Sequence, residues 1–259
     1  AEPSVDASAI SKENQNAATV VASSIKDNGE LAAAAMTATE SVTTTTQQKA
    51  AEALKATFSD ATEADTHIFV QTYLKVKPTA FDATKNTITL DIQPMSRVVA
   101  ATVDNADAIE LDGDSKNAVV LTGSEKAIAI QTMTISIKLP AAFGVGDTVY
   151  IQHKGYEYDA AVSNKNGTNI ATFTNPHGFS EFTITAKSNA AAEVNGTKYT
   201  TLQDAVNAVK DGETITVLKD NLSAEVSGNK TFTVAKNTGV ANVALTAASG
   251  YTLTNKFDT

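Results

Sequence analysis

The residues able to do chemistry in this chain are few, and their spacing is what decides between roles. Three histidines, His67, His153 and His177, could ligate a metal only if the fold gathered them. No two sit at helix or hairpin spacing, so they read as structural, with His177 making a local turn hydrogen bond. Asp112-Gly113-Asp114-Ser115-Lys116-Asn117 has the opening rhythm of a calcium loop, but no ligand completes it through a terminal Glu and Lys116 intrudes. It reads as a solvated turn. The serines show no Gly-x-Ser-x-Gly elbow. Gly144-Val145-Gly146-Asp147 follows no βαβ lead and reads as a loop and not a nucleotide site. The remaining set is Tyr150, Tyr156 and Tyr158, beside His153 and Lys154 on two adjacent expected strands. Tyrosines exposed on a strand stack on sugar rings, and tyrosines alternating along a strand also pack half-buried; both roles stay open at these positions.

Composition narrows the classes further. The 259 residues carry 20 basic and 29 acidic side chains, a net charge of −9, with 42% hydrophobic residues. Those fractions suit a folded chain and exclude a wholly disordered one. Cysteine is absent, which excludes disulfides, thiolate metal sites and a cysteine nucleophile. Arginine occurs once, at Arg97, and an acidic chain with a single Arg lacks the basic stripe of a nucleic-acid binder. No apolar run approaches the roughly 18 residues of a membrane-spanning helix. The 37 threonines favour strands. The start Ala1-Glu2-Pro3 is the kind of end left by signal-peptide removal, an expectation of export. The Asn-x-Thr/Ser triplets at Asn166, Asn195 and Asn221 read as incidental in a chain rich in Asn and Thr.

Three stretches must position these residues. Residues 1–65 form a helical N-terminal segment: one helix from Ser11 or Asn14 through Ile25, an Ala-rich second from Leu31 to Met36, a break at the threonines 43–46, and a third from Gln47 to Phe58. Its apolar stripe is Ala-rich and must pack on something else to be stable. Residues 66–187 switch to period two, with strands expected at 67–76, 86–92, 98–103, 118–121, 127–130, 132–139, 148–152, 156–162, 170–173 and 181–186. Lys77-Pro78 and Pro140 end two of them, and the favoured architecture is an antiparallel β-sandwich. After a small-residue linker, residues 188–259 read as a hairpin, a helix capped by Thr201 over Leu202 to Val209, and short strands at 214–218, 223–226, 231–234, 243–245 and 251–253. That rhythm fits the rungs of a β-solenoid with a cap helix, with a short meander as the competing reading.

The segment Asn195-Gly196-Thr197, Tyr199-Thr200-Thr201-Leu202-Gln203-Asp204-Ala205-Val206 and Asp211-Gly212-Glu213-Thr214-Ile215 resembles the opening of right-handed β-helix modules in bacterial surface and polysaccharide-active proteins. There, Tyr-x-x-Leu-x-x-Ala-Val starts the cap helix and Asp-Gly-x-Thr-Ile leads into the first rung. Upstream, His177-Gly178-Phe179-Ser180-Glu181-Phe182 resembles the last strand of sandwich domains in Gram-positive surface proteins, with Gly178 inserted into the motif. Together the two stretches resemble multidomain, adhesion-type surface proteins of gut-type Firmicutes. The resemblance implies an extracellular location on a bacterial cell, further domains of a longer protein, and a glycan or host-matrix protein as partner.

An enzyme of the β-helix class needs many rungs and clustered acidic residues. Only about 65 residues follow the linker, and after Asp220 the acidic residues are Glu225 and Asp258 alone. The expectation is therefore a mainly β, exported, non-enzymatic protein with no catalytic residue, metal or cofactor, whose role is structural, display or adhesion. The alternative is a carbohydrate-binding module attached to a polysaccharide-degrading surface enzyme, with Tyr150, Tyr156 and Tyr158 as its contact residues.

Overall fold

The computed structural model describes residues 37–38, 44–82, 86–127, 129–139 and 143–257. The two helices expected before residue 37 lie outside them. The protein is mainly β. In chain order the elements are β1 (Thr37–Ala38), α1 (Thr44–Thr57), β2 (His67–Asp82), β3 (Thr87–Ala101), β4 (Ala118–Val120), β5 (Lys126–Ala127), β6 (Met133–Lys138) and β7 (Thr148–His153). They continue with β8 (Tyr156–Lys165), β9 (Thr168–Asn175), β10 (Glu181–Thr185), β11 (Ala192–Val194), β12 (Thr197–Tyr199), α2 (Leu202–Ala208), β13 (Thr214–Val217), β14 (Leu222–Val226), β15 (Thr231–Lys236), β16 (Val243–Ala247) and β17 (Thr254–Phe257). Two compact units result: Ala1–Phe81, Thr89–Ala142 and Ser163–Ser180 form the first, and Asp82–Ile88, Phe143–Val162 and Glu181–Thr259 the second.

In the first unit, helix α1 starts within the threonine run and not after it. A first helical turn needs no intrahelical amide bonds of its own, so β-branched residues are least harmful there. Ala50 and Leu54 are fully buried against Ile68, Ala100 and Leu121, with Phe58 half-buried beside them. The adjacent residue of β2, Phe69, enters a different core with Val99, Ala101, Leu111 and Ala118. Alternation along a strand sends neighbours to opposite faces, so the sheet is covered on both sides here. Strand β2 does not stop at Lys77-Pro78: it runs on to Asp82. Likewise β3 is one strand through Pro94, where two shorter strands were expected. Proline removes one amide donor and is tolerated where that donor is not needed by a neighbour. Strands β6 and β9 pair antiparallel from Met133↔Asn175 to Lys138↔Ile170. Their outer face carries cross-strand hydroxyl pairs, Thr134 with Thr174 at 2.9 Å and Ser136 with Thr172 at 2.8 Å.

In the second unit the strand order is β10-β7-β8-β12-β11-β13-β15-β17. Pairing is antiparallel as far as β13 and parallel beyond it. Two tight turns shape the antiparallel part. Lys154 and Gly155 (φ 50° and 82°) join β7 to β8, and Asn195 and Gly196 (φ 49° and 79°) join β11 to β12. Two successive left-handed residues give the turn whose twist matches that of the flanking strands.

Beyond β13 the pairs run Thr214↔Thr233, Thr231↔Thr254 and, in a separate two-stranded sheet, Leu222↔Val243. The chain therefore returns to the same pairing position every 19 to 23 residues. A meander would pair sequence neighbours antiparallel. Ile215, Val217, Ala224, Val226, Phe232 and Val234 point into one core, shared with Leu202, Ala205, Val206 and Val209 around α2. Helix α2 starts at Thr201, which accepts the Asp204 amide at 3.1 Å. Gln203 then acts as a substitute strand: its amide donates to the Glu225 carbonyl at 2.7 Å and accepts from the Glu225 amide at 2.9 Å. That satisfies backbone groups of β14, whose strand partner is β16.

The corners of the parallel stack share one device. Asp211 accepts the Thr231 amide at 2.9 Å, Asp220 the Asn242 amide at 2.6 Å, and Asn229 the Thr252 amide at 3.1 Å. In each case a turn residue reaches the amide one coil further on. Short Asp and Asn side chains suit this because their oxygen sits at the reach of a local backbone group.

Candidate functional site

Strand alternation fixes where the expected sugar-contact tyrosines lie. Across the β7–β8 hairpin, His153 faces Tyr156, Ile151 faces Tyr158 and Tyr150 faces Asp159. Residues directly opposite share a face. Tyr156 and Tyr158 are therefore on one face and Tyr150 on the other, and the three do not form one aromatic surface. The sequence places them on adjacent strands correctly, but not on one side, because that depends on the register set by the two-residue turn.

The Tyr156 face carries an aromatic row. Phe182 stacks on His153 with centroids 3.8 Å apart and planes 5° apart. Next comes Tyr156, and then Tyr199, its partner on β12, 5.3 Å away at 45°. Phe182 and His153 are buried, while Tyr156, Tyr158 and Tyr199 are half-buried. His153 Nδ1 lies 2.8 Å from the Glu181 carbonyl, so this histidine is a packed and bonded core residue. Burial, followed by the neighbouring Tyr156, pushes the Tyr158 hydroxyl pKa above its ordinary value, and burial does the same to Tyr199.

The opposite face, that of Tyr150, is polar. Glu157 is 4% exposed, yet both its oxygens are used. It accepts from the Asn189 amide at 2.6 Å, the Ser188 hydroxyl at 2.5 Å and the Gln152 amide at 3.1 Å. This carboxylate anchors the start of the small-residue linker to β8. Beside it Lys198 pairs with Asp159 at 2.5 Å. Burial alone lowers the Lys198 pKa, but the Asp159 hydrogen bond and charge outweigh it and the net shift is upward.

The other candidate stretches resolve as turns. Asn117 closes the 108–117 loop, accepting the Glu110 amide and donating to the Ala108 carbonyl, both at 2.8 Å. Asp147 accepts the Gly144 amide at 2.9 Å and donates its own amide to the Gly144 carbonyl. At His177 it is the backbone amide that makes the local bond, to Asn175 Oδ1 at 3.1 Å. Among the described residues no group of three or more His, Asp or Glu side chains is placed to hold a metal ion.

A second polar constellation, in the first unit, was not expected. Gln71, Tyr73 and Lys75 share one face of β2 by alternation. Arg97 of β3 donates through Nε to Gln71 Oε1 at 2.6 Å, and its guanidinium lies over the Tyr73 ring at 4.9 Å. The Tyr73 hydroxyl donates to Glu125, which also pairs with Lys75 at 2.7 Å. Glu125 is delivered by a docked turn: Ser124 Oγ accepts the Val98 amide at 3.0 Å and donates to the Leu121 carbonyl at 2.6 Å. Lys75 first, then Tyr73, hold the Glu125 carboxyl below the usual carboxylate range. Burial and the Glu125 bond push the Tyr73 hydroxyl up. The signal available in the sequence was the polar alternation Gln71-Tyr73-Lys75 inside a strand. Arg97, the single arginine of the chain, supplies the other half.

By fold and site this is a mainly β protein whose second unit passes from antiparallel strands into a parallel stack, and whose polar clusters are tied into its sheets. No protein-family model, curated protein or solved structure matches the chain. Among the described residues no helix is long and apolar enough to cross a membrane.

Proposed function

We propose that this is an exported bacterial surface protein with a structural, display or adhesion role, acting through surface area and not through a chemical centre. The single observation that carries the reading is the parallel stack of the second unit. Strands return every 19 to 23 residues, Asp and Asn corners tie each coil to the next, and α2 covers one side through Gln203. Read as the start of a β-solenoid, with the first unit and the β7–β8 hairpin as a β-sandwich, this is a scaffold for holding other surfaces at a distance. The surface location rests on the resemblance of the Asn195–Ile215 and His177–Phe182 stretches. Contacts of such a module are individually weak and are multiplied by copies on a cell.

The test is a screen of the purified chain, soluble and coupled to beads, against glycans, plant polysaccharides, mucin and matrix proteins. Reducing-sugar release is read in the same wells. Capture by beads but not by soluble monomer is expected; release of sugar overturns the reading.

A second reading, carbohydrate binding, is favoured by Tyr156 and Tyr199. Their half-buried rings sit side by side on one face. Saturable glycan binding lost in Tyr156→Ala and retained in Tyr150→Ala would move the function there.

A further inference from the structure

We propose that Arg97, Gln71 and Lys75 form a binding site for a small monocarboxylate. The proposal goes beyond the role above and does not depend on it. The Arg97 Nε–H is spent on Gln71 Oε1. That bond also fixes which way the Gln71 amide points, leaving Nε2 as a donor. Gln71 is 6% exposed, and among the described residues its Nε2 has no acceptor. Nor do the two Nη groups of Arg97, which is held in place by the Gln71 bond below and the Tyr73 ring beneath its plane. A buried donor with no acceptor is costly, and that cost falls on Gln71 Nε2; the half-exposed Arg97 fork bonded to the same side chain gives an acceptor-rich group from outside a way in.

Charge and shape choose among such groups. Arg97 and Lys75 supply two positive charges and Glu125 one negative, so one positive charge is left over in a chain of net −9. A monoanion neutralises it, whereas a dianionic phosphate would leave an excess negative charge beside Glu125. The planar Nη fork matches the two oxygens of a carboxylate, and the guanidinium arrives already oriented, so little freedom is lost on binding. The ligand is therefore a free carboxylate, carried by a simple organic acid or by a sugar acid.

Because the chain has one arginine, its Nε–H gives one side-chain resonance in a nitrogen–proton correlation spectrum. The experiment titrates labelled protein with acetate, with galacturonic acid, with the uncharged methyl ester of galacturonic acid, and with sodium chloride. The expected result is a saturable shift of the Arg97 resonance with a carboxylate and none with the ester or the salt. Saturation by galacturonic acid at much lower concentration than acetate assigns a sugar acid; equal saturation assigns a simple acid. Arg97→Lys, which keeps the charge and loses the fork, should weaken binding by about tenfold or more, read from the Gln71 side-chain amide. A folded protein whose Arg97 resonance ignores every carboxylate, or follows the ester and the salt equally, overturns the proposal. So does an Arg97→Lys variant that binds as well as the parent.

Discussion

Glu157 offers a prediction whose size can be worked from its surroundings. Replacing it with Ala removes the acceptor for the Asn189 amide, the Ser188 hydroxyl and the Gln152 amide together, at a site 4% exposed. A hydrogen bond to a charged acceptor is worth about 1.5–3 kcal/mol. The two short bonds alone thus set a range of about 3–6 kcal/mol, and water entering the vacated space lowers it to about 3–5. Glu157→Gln keeps one accepting oxygen for the Asn189 amide but turns a donor towards Ser188, so about half that loss is expected. In Glu157→Ala/Ser188→Ala the orphaned hydroxyl is gone, and the double variant should be about 1–2 kcal/mol less damaged than the sum of the singles. With two units in the chain a single unfolding midpoint is not a clean readout. Hydrogen exchange at the Asn189 amide, alongside urea unfolding, is the proper assay. Loss of less than about 1 kcal/mol in Glu157→Ala, with Asn189 protection unchanged, would refute the view that this carboxylate pins the linker.

Three further outcomes are expected. Asp220 is exposed, and its bonds from Asn242 first and then Asn221 and Ala241 hold its carboxyl below the ordinary aspartate range. Its contribution is therefore complete above the unfolded value and fades as pH falls through the lower folded one. The Asn242 amide shift should titrate with a midpoint below that of an ordinary aspartate in the unfolded chain, and a midpoint at or above it contradicts the corner tie. Gly155→Ala forces a side chain into φ 82° and puts its Cβ 2.9 Å from Asp204 Oδ2, so a loss of at least about 1 kcal/mol is expected in thermal unfolding. Phe232, 2% exposed inside the stack, should cost about 3–5 kcal/mol when changed to Ala, measured by denaturant unfolding of the second unit.

How far the fold was legible depended on whether the deciding interaction was local. Met133–Lys138 alternates Met, Ile and Ile against Thr, Ser and Lys, and its strand matches the pattern nearly residue for residue. The α2 helix is equally local: Thr201 caps it, and Leu202, Ala205 and Val206 mark its inner face. The strands through Pro78 and Pro94 were not legible, because a proline ends a strand only if a neighbour needs its missing amide, and the neighbour is remote in sequence. The final strand lies at Thr254–Phe257 and not at 251–253, since its position follows from pairing with β15. The same holds for the sites. Tyr150, Tyr156 and Tyr158 were visible as a cluster of types, but the side each takes follows from the hairpin register. The Arg97 constellation joins residues 24 to 52 positions apart, and no local pattern announces such a meeting.

The corner ties of the parallel stack have a consequence for how this architecture grows. Each coil is joined to the next by the same kind of Asp or Asn reach, and strands in a sheet lie about 4.8 Å apart. Reach along the stack is therefore quantised: duplicating one segment of 19 to 23 residues lengthens it by about one such step. Neither the helix at one side nor the first unit has to change. Length in this fold can vary as a simple count of coils.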